Sequence, residues 1–245
     1  MQNKKELKIG LIGEGKNDIG VQGKNEWEFG VMPDYLNLLF GNDFELEFIP
    51  IHITKEDTKK LKQGRGGKYS KTIFKGVSKK LERFLINYKS VDFDILVFFS
   101  DTDKMQGKRA TEKEAKQQYC KIKSNIEYGF TIVNKRFSEL HCVVMIPIRI
   151  VECWLLGDIE GFKGIGCSTQ DLPKKPEFIW GDKYDPKSNY PKNYLKHILE
   201  NCNYTDNTEI FKNIVCHNDI KNLRKNCPNS FDIFYQDIEN IKTNI

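Results

Sequence analysis

The chain has 245 residues, 39% of them hydrophobic and 30% charged, with a formal net charge of +5. That length and balance suit a soluble globular protein with a full core and one or two domains. No apolar run approaches the roughly 20 residues of a membrane span, and the opening MQNKKELKIG lacks the apolar core and cleavage site of a signal peptide, so a cytoplasmic protein with no membrane partner is expected.

The elements follow in chain order. LKIGLIGEG (7–15) is an apolar stretch punctuated by glycines and predicts a buried parallel strand ending near Gly13. Residues 27–40 carry helical spacing in Tyr35, Leu36, Leu39 and Phe40, with Pro33 at a first turn or a break. FELEFIPIHI (44–53) alternates and predicts a second strand, and GRGGKYS (64–70) predicts a loop. Residues 71–89 predict an amphipathic helix through Ile73, Val77, Leu81, Phe84 and Leu85, and 94–100 a third, fully buried strand. Residues 111–140 predict a long helix capped by Thr111 with Glu114 three positions later. LHCVVMIPIRI (140–150) predicts the fourth strand. After Gly164, prolines 173, 176, 186 and 191 break the texture, and from about 190 the tail predicts short helices. Strand–helix alternation up to residue 150 predicts an α/β fold with a parallel sheet. The expected division is a core over 1–160 and an irregular, helical extension over 161–245.

The seven cysteines form no CxxC pair, and the nearest approach to zinc spacing is Cys216-His217. Reduced thiols are expected. Residues 55–83 hold eleven Lys and Arg, including Arg65 and Lys68, against Glu56, Asp57 and Glu82. That excess suits a polyanion surface, and equally a solvated helix face with a loop.

The chemistry concentrates in ILVFFSDTDK (95–104), where Asp101 and Asp103 end a buried strand with only Thr102 between them. Crowded carboxylates repel and resist burial. Asp103 as a helix cap with Asp101 in a turn would explain them, and so would a magnesium site. A haloacid-dehalogenase-like phosphatase pattern fits poorly, since Lys104 and Met105 follow and the motif lies mid-chain. A sugar-nucleotide transferase motif has no other support. IGEGKND adds Glu14, Gly15, Lys16 and Asp18 at the end of strand one, and ligands of open parallel sheets bind at such carboxyl ends. Three carboxylates around one cavity need a cation or a raised pKa. Glu152 sits in an apolar run and needs a partner, Arg149 or a cation. Trp154 suits core packing, and Asp158 a helix end.

Glu-Gly-x-x-Asp on strand one with Asp-x-Asp on strand three resembles the Toprim domain of topoisomerases, bacterial primases, OLD-family nucleases and small ribonucleases. The likeness covers 7–158. IPIRIVECWLLGD and the tail LRKNCPNSFDIF are similar to small stand-alone Toprim-like proteins found beside ATPases in bacterial defence loci. The resemblance implies a metal-dependent nuclease acting on RNA or DNA, with a Toprim-like, Rossmann-like core, and a role as a toxic anti-phage effector. It implies Glu14, Asp101, Asp103 and Glu152 as catalytic residues, and Glu14, Asp18, Asp101 and Asp103 as ligands of Mg²⁺ or Mn²⁺. Lys16, Arg65, Lys68 and Lys104 would contact nucleic acid. It also implies an ATPase partner and allows a homodimer. Two departures stand out: residues 16–30 are glycine-rich where a helix usually begins, and 55–70 reads as an insertion. The alternative is a non-catalytic binding or regulatory module on the same fold.

Overall fold

The computed structural model describes residues 4–13, 18–24, 26–41, 43–51, 79–102, 111–168 and 172–245. Four parallel strands form the sheet: β1 (Lys5–Ile12), β4 (Phe44–Pro50), β5 (Ile95–Phe99) and β6 (His141–Met145). Their order is β4-β1-β5-β6. Register runs from Lys5↔Phe44 to Leu11↔Pro50, from Ile9↔Ile95 to Ile12↔Phe98, and from Ile95↔His141 to Phe99↔Met145. The chain leaves β1 towards β4 on one side and returns to β5 on the other. This α/β arrangement is Rossmann-like, and the carboxyl ends of β1 and β5 flank its switch point.

Both faces of the sheet are covered, as the period-2 pattern dictates. Ile95, Val97 and Phe99 join Leu7, Ile9, Leu11, Val143 and Met145 in one apolar cluster with α1 (Met32–Phe40). The same cluster takes in α4 (Glu152–Leu155), α5 (Ile159–Gly164), α6 (Pro191–Asn201), α7 (Thr208–Cys216), α8 (Ile220–Asn226) and α9 (Phe231–Lys242). Leu96, Phe98 and Val144 point the other way, against α2 (Lys79–Asn87) and α3 (Glu112–Arg136). Residues on both sides of position 160 therefore share one core. Trp154 lies at its centre, edge-on to Tyr35 and Phe231 with ring centroids 5.4 and 5.2 Å away, and its indole N–H donates to Ser230 Oγ at 2.7 Å.

The capping box is present: Thr111 Oγ1 accepts from the Glu114 N–H at 3.2 Å, and the Thr111 N–H donates to Glu114 at 2.7 Å. Pro33 stands in the first turn of α1. Four expectations change. The helix expected over 27–40 begins only at Met32, because Trp27–Glu28 is a short strand, β3, pairing with β2 (Val21–Gln22). The fourth strand stops at Met145 and the second at Pro50. Of the helix expected over 71–89, which is not among these four, residues 71–78 lie outside the described residues and Lys79–Asn87 is helical. The expectation of reduced thiols fails at Cys167 and Cys202, which form a disulfide. The ends of α5 and α6 bring their Cα atoms to 5.3 Å, within bridging range. The other five cysteines are free, and among the described residues no cluster of three Cys, His, Asp or Glu includes the Cys216-His217 pair.

Candidate functional site at the switch point

Gly13 ends the exit from β1, where an added Cβ would stand 2.7 Å from Ile19 and 2.9 Å from Phe99. A side chain there would wedge β1 from β5. Asp18 follows, and its position is set from behind. Its carbonyl accepts from Met32 N at 3.0 Å, satisfying an amide at the start of α1, while Trp27 Nε1 donates to Ile19 O at 2.9 Å. The β2–β3 hairpin thus holds the Asp18 turn against the sheet. Gly20 permits the fold-back with φ 105°; a Cβ there would overlap Glu28 O.

Asp101 leaves β5, Glu152 opens α4 just past β6, and Lys80 lies in α2. Lys192 opens α6 from the C-terminal part of the chain. These side chains act on one another. Asp18 is pushed up to about 8, by burial first and then by the charges of Glu152 and Asp101, with Lys192 and Lys80 opposing. Lys80 is drawn down to about 8 by burial, against the pull of Asp101 and Asp18. Lys192 is raised, chiefly by Glu152 and then by Asp18 and Asp101, despite its burial. Lys192 Nζ lies 3.6 Å from Glu152 Oε1; Glu152 is buried, whereas the Lys192 side chain is 53% exposed. The site therefore combines three carboxylates and two ammonium groups, with the Lys192 side chain exposed to solvent.

Beneath it, Thr102 and Arg149 join the loops that follow β5 and β6. Thr102 N donates to Arg149 O at 3.0 Å, and Arg149 N donates to Thr102 Oγ1 at 2.8 Å. Arg149 has φ 74°, and its guanidinium lies over the Trp180 ring at 4.5 Å.

Of the expected site residues, Asp101 and Glu152 both act electrostatically on Asp18. Glu14, Lys16, Arg65, Lys68, Asp103 and Lys104 lie outside the described residues. Among the described residues, no three Asp, Glu, His or Cys side chains are grouped closely enough to hold a metal ion. Lys80 and Lys192 were not singled out by the sequence. Lys80 was one of eleven basic residues in its segment, and Lys192 lies 40 positions beyond its partner with no local signal. Asp158 does sit at a helix end: it caps α5 through the Glu160 N–H and also accepts from Asp219 N at 2.6 Å and Asn222 Nδ2 at 2.9 Å. Among the described residues, no helix is long and apolar enough to cross a membrane.

The chain belongs to the family described as Domain of unknown function (DUF4276), whose model matches residues 42–239. It matches no curated protein and no solved structure.

Proposed function

We propose that this DUF4276 chain is a divalent-cation-dependent phosphodiesterase acting on RNA or DNA, of the Toprim type, with its centre at the switch point. One observation carries the reading: Asp18, Asp101 and Glu152, from three separate elements, act electrostatically on one another beside Lys80 and Lys192. The donor chemistry fits magnesium or manganese, which take hard carboxylate oxygens. Asp18 is raised by burial first and then by the charges of Glu152 and Asp101, and a cation would offset those charges. Asp101 would hold the ion, completed by Glu14 and Asp103, which stand two residues past the end of β1 and two past Asp101 in the sequence. Bound there, the ion supplies charge neutralisation at phosphate oxygens and a more acidic water.

The chain's own groups supply the rest. Lys192 is restrained by Glu152 at the open side and offers a fixed ammonium to a phosphate oxygen. Asp18, raised by burial and by its acidic neighbours in the ion-free chain, would give up its proton as the cation binds and become a further carboxylate for it. Lys80, drawn down to about 8 by burial and acted on by Asp101 and Asp18, adds a second titrating cation.

The test is cleavage of labelled tRNA, single-stranded DNA and supercoiled plasmid with Mn²⁺, then with excess chelator. Cleavage should require the cation and vanish in Asp101→Asn. Lys192→Ala should slow it about 100-fold, the scale of one lost transition-state donor. Expression in a bacterial host should be toxic for the wild type and tolerated for Asp101→Asn, if the chain is a defence effector with an ATPase partner holding it in check. Cleavage indifferent to chelator and to Asp101→Asn would overturn the assignment.

A second reading, a non-catalytic nucleic-acid or protein-binding module, draws on a separate observation. Lys192 already neutralises part of Glu152, so the cluster partly balances its own charge. Nucleic acid bound but left uncut under every cation condition would favour it.

A further inference from the structure

We propose that the Thr102 hydroxyl is a positioning device for the acidic centre, acting through a two-hydrogen-bond clasp to the backbone of Arg149. The inference rests on the phosphodiesterase reading and adds a residue to it.

The β5–β6 seam does not stop where the strands stop. Past the last register pair, Phe99↔Met145, Ser100 N donates to Met145 O at 3.1 Å. The two loops then meet again when Thr102 N donates to Arg149 O at 3.0 Å and Arg149 N donates to Thr102 Oγ1 at 2.8 Å. Thr102 is 1% exposed and Arg149 not at all. The clasp thus ties together two loops that each deliver an acid. Asp101 immediately precedes Thr102, and Glu152 comes three residues after Arg149. The spacing of the two loops therefore sets the spacing of Asp101 and Glu152.

Arg149 takes a left-handed backbone, φ 74°, which a long side chain rarely adopts. Surroundings that over-determine the conformation are needed to keep it. Here the clasp holds the peptide groups on both sides of the Arg149 Cα, and the guanidinium is fixed over Trp180. Packing alone does not explain a hydroxyl at position 102. Valine has the same shape but no acceptor, and would leave the buried Arg149 N–H without its oxygen. Serine keeps the acceptor and loses only a methyl group.

The experiment compares wild type, Thr102→Val, Thr102→Ala and Thr102→Ser at a temperature where circular dichroism shows each folded. Two quantities are read: Mn²⁺ affinity by electron paramagnetic resonance, and kcat and KM for cleavage. Thr102→Val and Thr102→Ala should lower kcat about 100-fold, the scale of a displaced reacting group. Both should weaken Mn²⁺ binding and leave KM for nucleic acid nearly unchanged, while Thr102→Ser stays close to wild type on every measure. The positioning role is overturned if Thr102→Val keeps wild-type kcat and Mn²⁺ affinity. It is also overturned if Thr102→Ser fails as fully as Thr102→Val, or if Val and Ala both abolish folding, which would make Thr102 a structural residue. A wild-type protein that neither binds Mn²⁺ nor cleaves overturns the phosphodiesterase reading, and the clasp's role with it; that outcome shows before any variant is made.

Discussion

Asp34 shows what a single buried carboxyl does to this molecule. It lies in the first turn of α1, and its Oδ2 is buried with no hydrogen-bond partner among the described residues. Burial raises its pKa to about 6, with Lys212 and its own backbone amide opposing. The native protein therefore keeps this proton up to about pH 6, whereas the unfolded chain releases it near 3.8. Between those values the native state binds more protons, so stability falls as pH rises across the window, by at most about 3 kcal/mol. Asp34→Asn should remove that slope: the variant gains stability over wild type at pH 7 and gains little at pH 4. Urea melts at the two pH values check this, and an unchanged difference would show that Asp34 ionises freely. At this scale the sequence was partly legible. Glu152 stands in an apolar run and so announced that it needed a partner. The partner, Lys192, did not, because contact across 40 residues leaves no periodic trace. The positive φ of Arg149 was equally invisible, since left-handed backbone is betrayed in sequence mainly by glycine or asparagine.

Among the elements, those with a strong local pattern were read well. β5 is an unbroken apolar run buried on both faces, as a central parallel strand must be. The start of α3 follows from Thr111 and Glu114 alone. Where two patterns compete, the reading slipped. Trp27–Glu28 fell within reach of a helical spacing that only begins at Met32, and a two-residue strand is too short to show a period of its own. The capping box gives the prediction at this scale. Thr111→Ala removes the acceptor for the Glu114 N–H and should cost about 1 kcal/mol. Glu114→Ala breaks the reciprocal bond to the Thr111 N–H, so the two substitutions should be less than additive. A double-mutant cycle by urea denaturation measures the coupling, and strict additivity would mean the two bonds act independently. α3 contributes no group to the switch-point cluster, so cleavage by the folded Thr111→Ala protein should stay at the wild-type level.

For the whole molecule, the change of texture after Gly164 marks a change of local structure and not the edge of a core. Leu195, Ile198, Phe211 and Phe231 join the cluster that holds Ile9, Val97 and Met145. The segment that bridges the two regions is held at both ends. Near its start Glu177 accepts from Ser230 Oγ and from Asn229 N and Nδ2, the last two at 3.1 and 3.0 Å. Cys167 and Cys202 close it as a loop with a sequence separation of 35. Which cysteines would pair was not legible, since spacing alone does not fix connectivity among seven. The loop carries Lys192 to Glu152, so its closure concerns the site as well as the fold. Closing a loop of this length restricts the unfolded chain and stabilises the native state by about 4 kcal/mol in the chain-entropy account. Cys202→Ser, or dithiothreitol on the wild type, should therefore lower the urea midpoint, and dithiothreitol should do nothing further to Cys202→Ser. Thiol titration of denatured protein should find the five free cysteines before reduction and seven after. Seven thiols at the outset, with a midpoint indifferent to reductant, would mean that the pair stays reduced and that the Glu177 contacts and the shared core suffice to hold Lys192 in place.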